Sequence, residues 1–369
     1  MLKYVLALIL LASPASALTI NPTWDTSVTS GPQSAQFQGA VNKAIAYLQG
    51  NYFNPVTVNI KFGFGAINGV PCSSLGTSYT YWNGGYTPSQ MLAWLKASAT
   101  SQDDATAYAN WPATFAPSLG YWLSTAVQKA FGIRSASTAV DGNVCLSSAY
   151  AMTFDNSGGV APGMYDLTGV ALHEITEVMG RSSSAGSDGA SVLDAFRYLN
   201  GVFSHAWGGS FSIDGGQTSL QTFSLSSDSG DWGNNIPNDP VNAYVTSGVV
   251  LVFSQPDLVA VDVIGWSRAS VPPPPVPAPP TGLSATPGSQ RHGHTVNYFV
   301  SLAWSQSGAT GDQVWRSVNG GGFTLLRTIS GATGYTDSAV VHGSSYVYYV
   351  VATNTAGASP PSTTAGAVP

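Results

Sequence analysis

Charge is scarce in this chain of 369 residues: Asp, Glu, Lys and Arg together make up 8% of it, and the formal net charge is −6. Nucleic acid and anionic membrane surfaces are both gripped by clustered Lys and Arg, so neither is expected as a partner. Glutamate is scarcer still, occurring only at Glu174 and Glu177. Cysteine occurs twice, at Cys72 and Cys145, with no His or second Cys near enough in sequence to suggest a Cys-based metal site. In an oxidising compartment such a pair forms a disulfide; the alternative is two buried thiols. No apolar run approaches the roughly 20 residues that span a bilayer, so no membrane anchor is expected.

What is present begins with an export signal. Lys3 is followed by the short apolar run Tyr4 to Ala12 and the small residues Ala15-Ser16-Ala17. Residues 1–17 are therefore expected to be a signal peptide, and the product to be secreted, either extracellular or periplasmic and most simply a monomer. The run VPPPPVPAPP from Val271 to Pro280 favours an extended polyproline form and marks a spacer at 269–280. One domain is expected at 18–268 and a second at 281–369.

In the second domain Tyr346, Tyr348, Val350 and Ala352 alternate as a half-buried strand does, Phe299, Leu302 and Trp304 sit in an earlier strand, and Asn319-Gly320-Gly321 closes a hairpin opened by Val314-Trp315-Arg316. With PPTGLSAT at its start and YVYYVVATNTAGAS near its end, this segment resembles a fibronectin type III domain. The resemblance implies an all-β sandwich that acts as a spacer or weak adhesion module. His292, His294 and His342 are expected on loops or the surface, with His292-x-His294 a minor candidate for metal binding.

The first domain mixes periods. Helical spacing covers Gln36 to Gln49, Gln90 to Ala97 and Tyr121 to Phe131, whereas Val56 to Phe62 and Ala149 to Phe154 read as strands. The segment Asp166 to Gly180, DLTGVALHEITEVMG, carries its own punctuation: Asp166 or Thr168 to cap the start, Gly180 to end the helix. Leu172, Ile175 and Met179 form the buried face. His173 and Glu177, four apart, share another face and can converge on one ion, while Glu174 projects beside them as a general base. A core histidine flanked by two solvated glutamates is the alternative, and it must place both glutamates of the chain beside one histidine by chance.

This stretch resembles the H-E-x-x-H-x-x-G-x-x-H motif of metzincins. His173 matches the first ligand, Glu174 the base and Gly180 the glycine, but Glu177 and Ser183 stand where the second and third histidines would be. SQPDLVAVDVIGW, from Ser254 to Trp266, is similar to the C-terminal helix of matrixin-like and serralysin-like domains. HEITEVMGR is also similar to a group of secreted bacterial metallopeptidases with H-E-x-x-E-x-x-G-R. The resemblance implies an α+β metzincin-like catalytic domain, Zn2+ as cofactor, and an extracellular protein or peptide as substrate. It also implies that Ala149 to Phe154 is the edge strand that pairs with substrate. A carboxylate ligand lowers the net charge at zinc, so water there would be less acidic than in a three-histidine site. Asp194, in the segment Ser191 to Arg197, is the expected third ligand, with His205 the alternative. Arg181 and Arg197 are candidates to hold a carboxylate ligand in place. The loop carrying Asp228, Asp231 and Asp239 is a weaker candidate for Ca2+, since its spacing does not match an EF-hand. Rival readings are an inactive scaffold that adheres to a surface polymer or carbohydrate, and a hydrolase using iron or manganese.

Overall fold

The computed structural model describes residues 18–268, 277–293, 295–305, 309–330, 332–354 and 357–369. The expected signal segment, most of the proline-rich spacer and His294 lie outside the described residues. The chain divides into two units between Ala269 and Ser270.

The first unit is built on a four-stranded sheet. Its strands are β1 (Thr19–Trp24), β2 (Thr57–Phe64), β3 (Gly76–Thr80) and β4 (Gly142–Leu146), in the spatial order β1-β2-β4-β3. β1, β2 and β4 run parallel, whereas β3 pairs with β4 antiparallel and forms an edge. The central strand β2 buries Val58, Ile60 and Phe62 completely; the three alternate onto one face of the sheet, which is the face turned to the core. Between β1 and β2 the chain crosses over through α1 (Ser34–Asn51), whose residues Phe37, Val41, Ala44 and Leu48 face the core at helical spacing. Lys129 and Asp141, with side chains 2% exposed, pair at 2.5 Å. Asp141 also accepts from the Asn59 amide and the Thr125 hydroxyl, so the carboxylate joins β2 to the segment that leads into β4.

Sequence spacing and structure differ at two places. Tyr121 to Phe131 is not one helix: Tyr121–Ser124 is a strand paired with Trp82–Tyr86, and the helix is confined to Thr125–Ala130, capped by Ser124. Ala149 to Phe154 yields only the strand Met152–Thr153, paired with Tyr165–Asp166 in a separate two-stranded ribbon. The main sheet has its edges at β1 and β3, and β3 is the one that follows the disulfide-bonded Cys72. Cys72 and Cys145 form a disulfide, which ties the chain entering β3 to β4.

Two helices complete the frame of the site. α2 (Leu167–Val178) starts at Asp166, whose carboxylate accepts from the Thr168 amide at 3.1 Å, and ends at Gly180 with φ of +99°, a left-handed stop. α3 (Gln255–Val263) begins with a capping box between Ser254 and Asp257. Just beyond it, the fully buried Trp266 donates to the Met179 carbonyl at 2.8 Å and so locks the end of α2. Among the described residues no helix is long and apolar enough to cross a membrane.

The second unit is a two-sheet β-structure. Thr281–His292, Thr295–Ser305 and Gly334–Asp337 form one sheet; Gly311–Val318, Thr324–Ser330, Tyr346–Asn354 and Gly357–Ala358 form the other, which Ala365–Ala367 joins on Tyr346–Asn354. Their inner faces bury Val300, Leu302, Trp304, Val314, Tyr348 and Val350. Asn319 and Gly320, both at positive φ, make the expected hairpin turn.

Candidate metal centre

α2 carries the centre of the site. Leu172, Ile175 and Met179 are buried on its core side, which turns His173 and Glu177 toward a cleft of about 560 Å³. The floor of that cleft is Val170, His173, Glu174 and Glu177. One wall is the approach to β3 and its first residues, Ser73 to Ser78, and the other comes from Ser227, Asp228, Asp231 and the segment Pro240 to Val245, apart from Val241.

His173, Glu177 and Asp231 each offer a ligand atom within 4.8 Å of the others, the one such trio among the described residues. His173 Nε2 lies 3.3 Å from Asp231 Oδ1 and 3.6 Å from Glu177 Oε1. The other ring nitrogen, Nδ1, is 2.8 Å from the Pro240 carbonyl, which can only accept, so Nδ1 carries a proton and Nε2 is the nitrogen turned toward the carboxylates. Ser78 in β3 donates to Glu177 Oε2 at 2.7 Å. Behind Asp231, the fully buried Arg181 reaches Oδ1 at 3.4 Å, donates to the Gly230 carbonyl at 2.6 Å and lies over the Trp232 ring.

The electrostatics follow from burying these groups together. Burial and the neighbouring Glu177 carboxylate push Glu174 well above the usual carboxylate range. Burial also acts to raise Glu177, but His173, Arg181 and the Ser78 hydroxyl outweigh it and hold Glu177 below its ordinary value. For His173 burial disfavours the imidazolium, yet Asp231 and Glu177 together raise it well above an ordinary histidine. Glu174 Oε2 is buried with no hydrogen-bond partner. Its other oxygen faces β3 so closely that a Cβ at Gly76 would fall 2.4 Å from it and 2.8 Å from Val170. One imidazole nitrogen and two carboxylates suit a divalent ion such as zinc, and an orphaned buried carboxylate oxygen beside them suits a group that handles a proton.

The structure brings together His173, Glu174 and Glu177 but neither Asp194 nor His205, and the third carboxylate is Asp231. Asp194 turns away because its own surroundings saturate it. Ser183 and Ser191 donate hydroxyls to it at 2.5 and 3.0 Å, and the amides of Ser184 and Ser191 donate at 2.9 and 2.8 Å. Arg197 and His205 approach the same carboxylate at 3.7 and 3.6 Å. His205 also packs on Phe115 with 4.9 Å between ring centroids. Of the two arginines, Arg181 reaches the cleft trio and Arg197 does not. Asp228, Asp231 and Asp239 do not converge as a trio of their own. The sequence signal for Asp231 was its Asp-, Asn- and Gly-rich loop, but nothing in the spacing ties that loop to α2. In space Trp232 pairs with Phe223 and with Asn242, which joins the Asp231 and Pro240 segments to each other, and His173 on α2 and Arg181 just past it reach Asp231 and, for His173, the Pro240 carbonyl.

No family model and no curated protein matches the chain. Over about a quarter of its length it is similar to solved fibronectin type III structures. An Fn3-like protein from Clostridium thermocellum is 34% identical, covering 26% of this chain and 95% of that one at a TM-score of 0.21. The FN5 domain of Drosophila Lar is 15% identical, covering 26% and 98% at 0.21, and the FN3tt mutant is 19% identical, covering 25% and 96% at 0.21. The likeness spans that quarter alone.

Proposed function

We propose that the first unit is a secreted, zinc-dependent endopeptidase of metzincin-like architecture, acting on extracellular protein. The observation that carries this reading is the convergence of His173, Glu177 and Asp231 beside the unpartnered Glu174 Oε2, at the floor of a cleft walled by a free sheet edge. The three parallel strands with one antiparallel edge strand, and the helix ending at Gly180, support the architecture. The disulfide supports an oxidising compartment.

His173 Nε2 and carboxylate oxygens of Glu177 and Asp231 would hold the ion. When bound, zinc supplies Lewis acidity that polarises a carbonyl and acidifies water. The remaining work belongs to the chain. β3 offers its unpaired backbone to an extended peptide, which adds as a further strand and is held along the cleft. Glu174 takes a proton from the attacking water at Oε2 and delivers it to the departing amine; that oxygen is buried without a hydrogen-bond partner of its own and so is free for the transfer. The Pro240 carbonyl keeps His173 in one tautomer, and Ser78 and Arg181 keep Glu177 and Asp231 oriented.

The test combines metal analysis with casein hydrolysis by the wild type and Glu174→Gln. One zinc per chain in both proteins, with activity reduced about 10³-fold or more in the variant, is the expected result. Absence of bound metal, or undiminished hydrolysis by the variant, overturns the reading.

A further inference from the structure

The cleft differs chemically from one end of α2 to the other. At the end where the helix begins it is lined by Tyr150, Tyr165, Val170 and Val245. Tyr150 and Tyr165 meet edge to face at 5.7 Å, and Tyr150 is 44% exposed, leaving an aromatic surface open to the cleft. At the end where the helix stops the lining is Ser78, Glu177, Asp231 and the exposed Asp228. The neighbouring Gly230 lies against Ser182 and Ser183, just past the helix terminus, which fixes the position of this acidic end.

Asp228 is outside the trio that converges on His173, but desolvation in the cleft and the nearby Glu177 and Asp231 carboxylates push its pKa up to about 6, so it carries its charge above that pH. It is also held in place. The Gly230 amide donates to Asp228 Oδ1 at 2.7 Å, and the Tyr244 hydroxyl donates to the Ser226 carbonyl at 3.3 Å, tethering the segment that carries it. No Lys or Arg lines the cleft, and Arg181 is fully buried behind Asp231. Between the two ends lies the buried, unpartnered Glu174 Oε2, the point at which a bound peptide would react.

We propose that this cleft selects extended peptides with an aromatic or large apolar side chain on one side of the reacting bond and a Lys or Arg on the other. Tyr150 and Tyr165 receive the first and Asp228 the second. The proposal rests on the peptidase reading for which bond is cut, but the recognition it describes is measurable without catalysis. An aromatic surface retains apolar area through burial, and a carboxylate in a cleft lined by no Lys or Arg attracts an ammonium or guanidinium more strongly as ionic strength falls.

Eight labelled peptides test it: Phe or Ser at one position, combined with Lys or Glu two or three residues away, each made in both orders. Their affinity for zinc-loaded Glu174→Gln is read by fluorescence anisotropy, and kcat/KM for the wild type is read in parallel. The Phe–Lys peptide is expected to bind about tenfold or more tightly than Phe–Glu at about 20 mM salt, with the gap narrowing at about 500 mM. Asp228→Asn, which still accepts from the Gly230 amide, should bring the Lys and Glu peptides within about twofold of each other. Tyr150→Ser should remove the preference for Phe and leave the Lys-to-Glu ratio intact. Equal affinities in the wild-type cleft, or a ratio that persists in Asp228→Asn, overturns the proposal. Hydrolysis without charge preference overturns it while leaving the peptidase reading standing. Ranked binding with no hydrolysis by the zinc-loaded wild type supports the recognition and counts against the peptidase.

Discussion

The first unit holds two constellations of the same composition, one histidine, one aspartate and one arginine each. In one, Asp231 stands between His173 and Arg181; in the other, Asp194 stands between His205 and Arg197. The distances are alike, all between 3.3 and 3.7 Å, so proximity does not tell them apart. The supply of hydrogen-bond donors does. A carboxylate has about four lone-pair sites, and Asp194 already accepts four bonds from two serine hydroxyls and two backbone amides. Asp231 is contacted by Arg181 from behind and opens toward the cleft beside Glu177. A carboxylate that is full serves as a staple; one supported on one side only is free to ligate.

Exchanging the losses is the strongest way to break that comparison. Asp194→Ala leaves Arg197 buried without its counter-charge and is expected to cost about 3–5 kcal/mol in unfolding free energy, while the folded fraction still binds one zinc. Asp231→Asn should do the opposite, losing zinc in a competition titration while its metal-free denaturation midpoint moves less than that of Asp194→Ala. If Asp194→Ala loses zinc and Asp231→Asn keeps it, the two roles are reversed. Arg181→Gln should weaken zinc binding by about 10–100-fold, whereas Arg197→Gln should lower stability without that effect. The smallest effect is with pH. Asp194 is held below its ordinary value: burial acts to raise it, but His205, Arg197 and the Ser183 hydroxyl outweigh that. Its folded pKa therefore lies below its unfolded one, so its stabilising contribution is present above about pH 4 and fades as pH falls through the folded value. Wild-type melting temperature should drop more steeply below pH 4 than that of Asp194→Asn, which has no such group to titrate.

How much of this was legible beforehand depends on how local each signal is. α1 and α2 follow from 3.6-residue spacing, and His173 with Glu177 follows from four residues on one helix face. Tyr121 to Phe131 shows the limit of spacing. Its apolar residues fit a helix, yet pairing with Trp82–Tyr86 claims the first four as a strand. Asp194 was the natural third ligand because it follows α2 at a suitable chain distance, but the serines around it, individually unremarkable in sequence, converge on its carboxylate only once the loop is folded. Asp231 lies in an irregular loop whose path is set by Trp232 and its two bridges. Such contacts between distant segments leave no periodic trace.

Gly76 gives the cleft a tolerance that can be stated in atoms. Its φ is not in the left-handed region, so backbone freedom is not what it contributes; what it contributes is one missing methyl group. That vacancy lets the edge strand and the Glu174 carboxylate approach until nothing further fits between them. The gap between the strand on which a peptide would lie and the base that would act on it is therefore narrower than one carbon, and an alanine at this position would have to push one of them aside.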